Sequence, residues 1–266
     1  MEFVTRREAP QELTDNMDEW NRPWVEYYNK LKDDAGNLLT STKPKTSYWL
    51  RDGIREPLMA DFKNNCGYCG CLISKPWQPT DEFIAGKGDV DHLRAKSKYS
   101  ELTYNWLNYI WSCKACNQIK GSFDDKKFPI FNPCLAEDCC KLGFISDIGS
   151  YELSPTANND TTLIARLENT VSKTLLNAVD TCSERRDQVT FLAGYFKSIN
   201  TLLDIDEELP EKIIERVRDV IQEEINNNIS RIKLTLKSKS YKSLISCQYK
   251  KLCEKYNNVS ILLNDN

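Results

Sequence analysis

Two pairs of cysteines with metal-binding spacing stand in the first half of the chain. Each pair has the form Cys-x2-Cys: Cys66-Gly-Tyr-Cys69 and Cys113-Lys-Ala-Cys116. Four thiolates in two such hooks can surround a tetrahedral zinc ion, with Zn–S distances of about 2.3 Å. The chain between the hooks is longer than a zinc ribbon needs, so it must form structure of its own and return. We predict a structural zinc site; four unrelated buried cysteines are the alternative.

The remaining cysteines give weaker signals. The chain has 11 cysteines, an odd number that cannot all pair as disulfides, so metal binding and buried core thiols explain them better. Cys71 is close enough to the first hook to compete as a ligand. Three others are interpreted as core thiols or a minor second site: Cys134, Cys139 and Cys140.

The single histidine of the chain lies between the two hooks and directly follows a carboxylate, as Asp91-His92. A carboxylate beside an imidazole can bind a hard cation with one group and activate water with the other. A lone histidine is more often a structural residue, hydrogen-bonded in the core or at the surface, than a catalytic one. Here its position between the hooks, with Asn108 and Asn117 downstream, favours catalysis.

The order of these residues resembles an HNH endonuclease. Asp91-His92 comes first, Asn108 stands five residues before a Cys-x2-Cys pair, and Asn117 directly follows that pair. More narrowly, the segment 66–121 resembles the HNH subunit of Septu-type anti-phage defence systems, including the version found beside retrons. The resemblance covers roughly residues 45–134, half the chain. It implies an α+β fold in which a ββα-metal finger with a four-cysteine zinc knuckle is embedded in a mainly α-helical chain.

The resemblance also implies roles for the matching residues. Asp91 and His92 would lie on or just after the first strand of the finger. Asn108 would lie on the second strand and brace the intervening loop, and Asn117 would lie at the helix. Asp91 and Asn117 would hold Mg²⁺ or Mn²⁺, hard ions that prefer oxygen ligands. His92 would act as the general base in phosphodiester hydrolysis.

Positive charge near these residues predicts contact with a nucleic-acid backbone. Lys120 lies three residues after Asn117 on the predicted helix, so both side chains share one face. Arg94 and Lys96 follow the histidine closely. DNA is favoured as the substrate by family frequency, and RNA is left open. The alternative function is a zinc-stabilised module that binds nucleic acid or protein without cutting it; the complete Asp-His, Asn, Asn set favours the enzyme.

Helical periodicity surrounds this segment on both sides. It predicts helices over 15–32 and 47–63, and then over 160–180, 183–203, 208–236 and 240–257, with Pro210 in the first turn of the 208–236 helix. We place a domain boundary near residue 155. The domain 1–155 holds the N-terminal helices and the HNH module, whose core spans about 64–134. The domain 156–266 is α-helical and is expected to dock onto a partner.

Charge is segregated in the second domain. Residues 204–224 hold nine acidic and three basic side chains, whereas 231–255 hold eight basic and one acidic. Two solvated helix faces that pair with each other are the plainer interpretation, and a basic surface for a phosphate backbone or an acidic partner is the alternative.

No P-loop glycine motif is present. Septu-type relatives work with an ATPase subunit, so the resemblance implies such a partner. For the version found beside retrons, the resemblance also implies an assembly with the reverse transcriptase and its non-coding RNA.

Composition excludes other classes of protein. Charged residues make up 28% of the chain, and no stretch approaches the roughly 20 consecutive apolar residues of a membrane span. The first residues, MEFVTRREAP, carry charges where a signal peptide needs an apolar run, so the cytoplasm is the expected location. The formal net charge of -3 does not itself indicate nucleic acid as a partner, so a local site must support that interpretation.

Overall fold

The structure is a computed structural model that describes residues 1–73, 75–76, 87–208, 211–237 and 241–264. It is mainly helical, with small sheets. The chain divides into two compact units: the first holds Met1–Phe144 and Ser150–Thr181, and the second holds Ile145–Gly149 and Cys182–Asn266. The predicted boundary near residue 155 therefore falls inside the first unit.

Helices precede the first cysteine hook, as periodicity predicted. The first helix buries an apolar stripe that includes Trp20 and Trp24, and it ends where Lys30 turns into the left-handed conformation with φ 52°. The second predicted helix is divided by Arg51, whose backbone is extended. The elements of this part are α1 (Gln11–Asn29), a 3-10 turn (Tyr48–Leu50) and α2 (Asp52–Asp61).

A strand–strand–helix unit carries the residues predicted to do chemistry. Its antiparallel strands pair Gly88 with Cys113 and His92 with Tyr109. Asn108 was expected on the second strand, and it lies instead at the end of a 3-10 turn just before that strand. The elements are β1 (Lys75–Pro76), which pairs with β2 in parallel, then β2 (Lys87–His92), the 3-10 turn (Trp106–Asn108), β3 (Tyr109–Cys113) and α3 (Lys114–Lys120).

The core of this unit is closely packed around Trp111. This side chain is completely buried, and Gly88 of β2 lies against it. A Cβ atom at Gly88 would lie 2.4 Å from Trp111 Cζ2 and 2.4 Å from Ile73 Cγ2, so only glycine fits there. Trp106 is buried as well, so both tryptophans belong to the core.

The two cysteine hooks converge into one buried cluster. Its four Sγ atoms all lie within 4.8 Å of one another, and they belong to Cys66, Cys69, Cys113 and Cys116. The Sγ atoms of Cys69 and Cys113 are 3.9 Å apart. A tetrahedral zinc ion with Zn–S distances of about 2.3 Å requires sulfur separations of about 3.8 Å, so these residues could hold zinc. Cys71 lies beside the cluster and is not one of the four.

The helix after the metal-binding region packs within the first unit. Arg166 of this helix donates to Asp138 Oδ2 at 2.7 Å and to Pro129 O at 2.9 Å, and Leu175 N donates to Cys116 Sγ at 3.3 Å. Periodicity predicted the helix but does not show which core a helix joins. The elements of this part are α4 (Ala136–Cys139), the paired strands β4 (Leu142–Ile145) and β5 (Ser150–Leu153), and α5 (Thr161–Lys173).

The second unit is helical and has its own apolar core, which includes the buried side chains of Leu192, Phe196 and Ile232. The structure has helices in the regions predicted over 183–203, 208–236 and 240–257, and it has a further helix after residue 256 that was not predicted. Pro210 lies outside the described residues. In the ranges that the structure describes, no helix combines the length and apolar character that crossing a membrane requires. The elements are α6 (Val179–Glu208), α7 (Glu211–Lys237), α8 (Lys242–Lys255) and α9 (Asn257–Asn264).

Arg6 ties the N-terminal segment to the turn that carries Asn108. Its guanidinium pairs with Asp61 Oδ2 at 3.1 Å, and the two side chains are 5% and 4% exposed. The same group donates to Tyr109 O at 2.6 Å and to Trp106 O at 3.2 Å. A guanidinium has five donors in a rigid fork, so one side chain can satisfy a carboxylate and two carbonyls together. The start of β3 is anchored in this way.

Arg6→Ala should lower the free energy of unfolding of the first unit by about 3–5 kcal/mol, because it removes the buried ion-pair partner of Asp61 together with the side-chain donor to the Tyr109 and Trp106 carbonyls. Arg7→Ala is the matched control. Arg7 also bonds Asp61, at 2.5 Å, but its side chain is 51% exposed, so we expect a change below about 1 kcal/mol. Urea unfolding followed by tryptophan fluorescence measures both, since the five tryptophans that the structure describes all belong to the first unit. Equal losses would contradict this ranking.

The purified chain should contain about one zinc ion per molecule, and Cys116→Ala should lose it because a structural site needs all four ligands. The binding free energy of structural zinc, on the order of 10 kcal/mol, is also folding free energy, so strong chelators should unfold the strand–strand–helix unit. Metal analysis and a colorimetric zinc-release titration measure the content. Cys71→Ala is the matched control and should retain zinc; loss of zinc from it would make Cys71 a ligand.

Candidate active site

The His92 imidazole is fixed by its neighbours in one orientation. Its Nε2 atom lies 2.8 Å from Thr103 O, which also accepts a hydrogen bond from the Tyr109 hydroxyl at 2.9 Å. The ring packs edge-on against Trp49, with centroids 4.9 Å apart. A carbonyl oxygen can only accept, so Nε2 carries the ring proton. Nδ1 is therefore the ring nitrogen whose lone pair is left to accept a proton.

The charge state of His92 follows from its surroundings. Burial lowers the pKa of the His92 imidazole well below its usual value, and the positive charges of Lys96 and Lys120 act in the same direction. The hydrogen bond to Thr103 O opposes them. The ring is consequently neutral at ordinary pH, the state in which a histidine can act as a base.

Asp91 is buried and held by donors from two different elements. The Tyr68 hydroxyl donates to Asp91 Oδ2 at 2.6 Å, and Lys120 Nζ lies 3.1 Å from the same oxygen. Burial raises the pKa of the Asp91 carboxyl, against the charge of Lys120 and the bond from Tyr68. Adjacent residues on a strand point to opposite faces, so the side chains of Asp91 and His92 diverge. His92 contacts the hydrogen-bonded group around Asp91 through its backbone carbonyl, which accepts from Lys120 Nζ at 2.7 Å.

Lys120 occupies a different place from the surface position expected for a phosphate-binding residue. Its side chain is 0% exposed, and its ammonium contacts Asp91 and the His92 carbonyl. The shared helix face that the spacing predicted exists, but that face is turned against β2. The charge of Lys120 therefore acts on oxygen atoms of the protein itself.

Asn117 contacts a carboxylate that the sequence analysis did not select. Its Nδ2 atom donates to Asp89 Oδ2 at 3.2 Å, and Lys114 Nζ lies 2.9 Å from the same oxygen. Asp89 and Asp91 are two residues apart on β2, so both project from one face of the strand toward α3. That alternation, read together with Lys114 and Asn117 on the following helix, was the signal that could have identified Asp89.

Asn108 ties together the two ends of the segment that follows His92. Its Oδ1 atom accepts from Arg94 N at 2.7 Å, and its Nδ2 atom donates to Arg94 O at 3.1 Å and to Leu102 O at 3.0 Å. Leu93 N also donates to Asn108 O at 2.8 Å. One amide side chain thus satisfies three backbone groups of the segment 94–102.

A cleft of about 410 Å³ brings several of these side chains to one opening. Lys96 covers one wall, with its Nζ atom 4.1 Å from the centre of the Trp49 ring and 5.0 Å from that of Trp24. Burial, and after it the charge of Lys43, lowers the pKa of the Lys96 ammonium to about 8. The polar residues that line the cleft include His92, Asp89, Asp91, Asn117 and Lys96.

Arg94 is not brought into this cleft. Its guanidinium pairs with Asp124 at 2.9 Å and stacks on Tyr99, 4.2 Å from the ring centre. It lines a separate, more apolar cleft of about 350 Å³ that also includes Asn108 and Arg166. Lys96 is therefore the one of the three predicted phosphate contacts that lines the cleft with His92.

The donor set in the cleft has the chemistry of a site for a hard cation. Asp89, Asp91 and Asn117 offer carboxylate and amide oxygens, which Mg²⁺ and Mn²⁺ prefer over nitrogen or sulfur ligands. The Asn117 side-chain amide donates a hydrogen bond to Asp89, and this proximity makes Asp89 a third candidate ligand beside the predicted pair. Lys114 and Lys120 already balance part of the negative charge, so a divalent ion would have to compete with two ammonium groups.

Sequence comparison relates part of the chain to a Septu protein. No family model matches the chain, and no solved structure matches it. Over 87 residues the chain is 36% identical to Septu protein PtuB of Bacillus thuringiensis. The match covers 33% of this chain and 31% of that relative. The similarity supports a Septu-related protein over about a third of the chain, and the HNH resemblance rests on the residues described above.

Proposed function

We propose that the chain is a metal-dependent endonuclease of the HNH type that hydrolyses phosphodiester bonds of nucleic acid. One observation carries the proposal. His92 donates its Nε2 proton in a hydrogen bond to Thr103 O, and it lines the same cleft as Asp91 and Asn117, whose side-chain oxygens are suited to a hard cation. The strand–strand–helix order of β2, β3 and α3 supports assigning these residues to a ββα-metal finger, and the four-cysteine cluster supports a zinc knuckle beside it.

The chemical step follows from the free nitrogen of His92. Nδ1 takes a proton from a water molecule as the water oxygen bonds to phosphorus. The bond between phosphorus and the leaving oxygen breaks, and the leaving oxygen keeps the electron pair and takes a proton from solvent. Asn108 keeps the segment after His92 in place through its three backbone bonds. A divalent cation bound by Asp91 and Asn117 would offset the charge that develops on the phosphoryl and leaving oxygens.

Lys96 is proposed to contact the substrate backbone. Its ammonium lies in the wall of the cleft that contains His92, where a phosphate group would meet it as the phosphodiester enters. Lys120 and Arg94 act through protein oxygens instead, on Asp91 and on Asp124. DNA is the favoured polymer, and RNA is tested beside it.

A role in anti-phage defence is proposed from the similarity to a Septu protein. The chain contains no P-loop motif, so control of cleavage is expected to come from a separate ATPase subunit. The helical part of the chain, 156–266, is proposed to dock onto that subunit.

A second candidate function is a zinc-stabilised binding module that does not cut. It is favoured by one observation: both carboxylates of the cleft are already paired with ammonium groups, Asp89 with Lys114 and Asp91 with Lys120. A module of this kind would need the four cysteines but not the imidazole.

His92→Ala should reduce cleavage by about 10²- to 10⁴-fold, the usual contribution of a general base. The assay follows nicking of a supercoiled plasmid and, in parallel, degradation of a structured RNA, with Mg²⁺ or Mn²⁺ present. Zinc content should match that of the wild type. The unfolding midpoint should fall, because the buried ring is lost, but it should stay above the assay temperature, so that the fold is retained during the measurement.

Tyr109→Phe is the matched control for this measurement. It removes the other hydrogen bond to Thr103 O and leaves the imidazole in place, so the rate should stay within about tenfold of the wild type. Equal cleavage by the wild type and His92→Ala would reject the enzyme and favour the binding module.

The KM for nucleic acid should rise as the pH passes through about 8, the pKa of Lys96. The ammonium is charged below that pH and neutral above it, so attraction to phosphate is lost on the alkaline side. Lys96→Arg keeps its charge and should show a flat KM over the same range. Steady-state kinetics between about pH 7 and pH 9 measure both proteins.

Lys98→Arg is the control for this measurement and should keep the wild-type dependence of KM on pH. If KM still rises with pH in Lys96→Arg, Lys96 does not contact the substrate.

A further inference from the structure

Tyr68 stands inside the first cysteine hook and reaches into the proposed active site. It lies between Cys66 and Cys69, it is completely buried, and its hydroxyl donates to Asp91 Oδ2 at 2.6 Å. No feature of the metal-binding spacing requires a tyrosine at this position. Its hydroxyl is the shortest direct contact between the hook and the carboxylates of β2 that the structure describes.

The hook that carries Tyr68 is held firmly against β3. Gly67 N donates to Trp111 O at 2.8 Å, and Cys66 N donates to Cys71 O at 2.9 Å. A Cβ atom at Gly67 would lie 2.6 Å from Phe62 Cε1 and 2.7 Å from Ile110 Cγ2, so this part of the hook has no free space around it. The position of the Tyr68 ring is thus set by the knuckle and not by the cleft.

The second partner of Asp91 comes from the other hook. Lys120 lies at the end of α3, the helix that contains Cys116 and that is capped by the Cys113 Sγ atom accepting from Cys116 N at 3.4 Å. Both donors to Asp91 therefore stand on segments that the cysteine cluster joins. The orientation of the carboxylate depends on the cluster through two side chains, Tyr68 and Lys120.

We propose that Tyr68 is a positioning residue that couples the zinc knuckle to cation binding by Asp91. The inference rests on the proposed function, because it assigns Asp91 as a ligand of the divalent ion. The Tyr68 hydroxyl fixes the plane of the carboxylate and occupies one lone pair of Oδ2, so the remaining lone pairs are presented in one direction. Hydrogen-bond partners of ligating carboxylates act in this way, and their loss typically weakens metal binding about 10- to 100-fold.

Tyr68→Phe separates this role from packing, since it keeps the buried ring and removes one oxygen atom. Binding of Mn²⁺ to the full zinc-loaded chain is measured by electron paramagnetic resonance and by calorimetry. We expect the affinity to fall about 10- to 100-fold with zinc content unchanged, and Asp91→Asn to abolish the binding. Cleavage rates at rising Mn²⁺ concentration should show the same shift.

Tyr151→Phe is the matched control. The Tyr151 hydroxyl also donates to a carboxylate at 2.6 Å, that of Glu2, but Glu2 does not line the cleft, whereas Asp91 does. The control should bind Mn²⁺ as the wild type does, while its thermal midpoint falls by an amount similar to that of Tyr68→Phe. A comparable loss of affinity in both variants would assign the effect to general destabilisation and overturn the proposal.

The other outcomes are also decisive. Equal Mn²⁺ affinity in the wild type and Tyr68→Phe overturns the positioning role and leaves the proposed nuclease standing. Loss of zinc from Tyr68→Phe assigns the hydroxyl to the packing of the knuckle and overturns the role as well. A wild-type chain that binds no Mn²⁺ and shows no His92-dependent cleavage overturns both proposals together.

Discussion

The buried ion pair between Asp91 and Lys120 constrains the whole strand–strand–helix unit. Removing a carboxylate and an ammonium from water costs several kcal/mol per ion, and their attraction offsets this only when the geometry is good and further hydrogen bonds complete it. Here the further bonds come from the Tyr68 hydroxyl and the His92 carbonyl. The knuckle, β2 and α3 must therefore keep their mutual positions, since a shift of any one leaves a buried charge without a partner.

The cysteine cluster and the ion pair rely on the same three pieces of chain. The first hook supplies Tyr68, the second hook begins the helix that ends in Lys120, and the strand between them carries Asp91. The apolar core around Trp111 packs these pieces closely, and the hydrogen-bonded network of Asp91 fixes their orientation. A metal ion held by the four cysteines would add a further constraint. The tryptophans of the hairpin and the Arg6 anchor complete this arrangement from the other side.

Sequence reasoning succeeded where chemistry depends on short spacing. The two cysteine pairs converge as predicted, since the spacing within each pair brings two thiols to one side of a turn. The long helices were predicted from the periodicity of the apolar residues. The burial of Lys120 and the pairing of Arg94 with Asp124 could not be predicted from the sequence. The partner of a charged side chain is set by contacts between residues far apart in the chain. Asn108 lies on a turn instead of a strand for a similar reason: its three bonds to the segment 94–102 are made outside the ladder.

The contact of Gly88 with Trp111 and Ile73 limits how far β2 can move beside the cleft. The indole fills the space in which a side chain on β2 would stand, so this strand has no room to slide or tilt. The opposite wall of the cleft includes Lys96, which belongs to a segment that Asn108 holds through three hydrogen bonds. In the proposed nuclease, a polymer would therefore have to adapt its own backbone to reach the carboxylates, because both walls of the cleft are held in place.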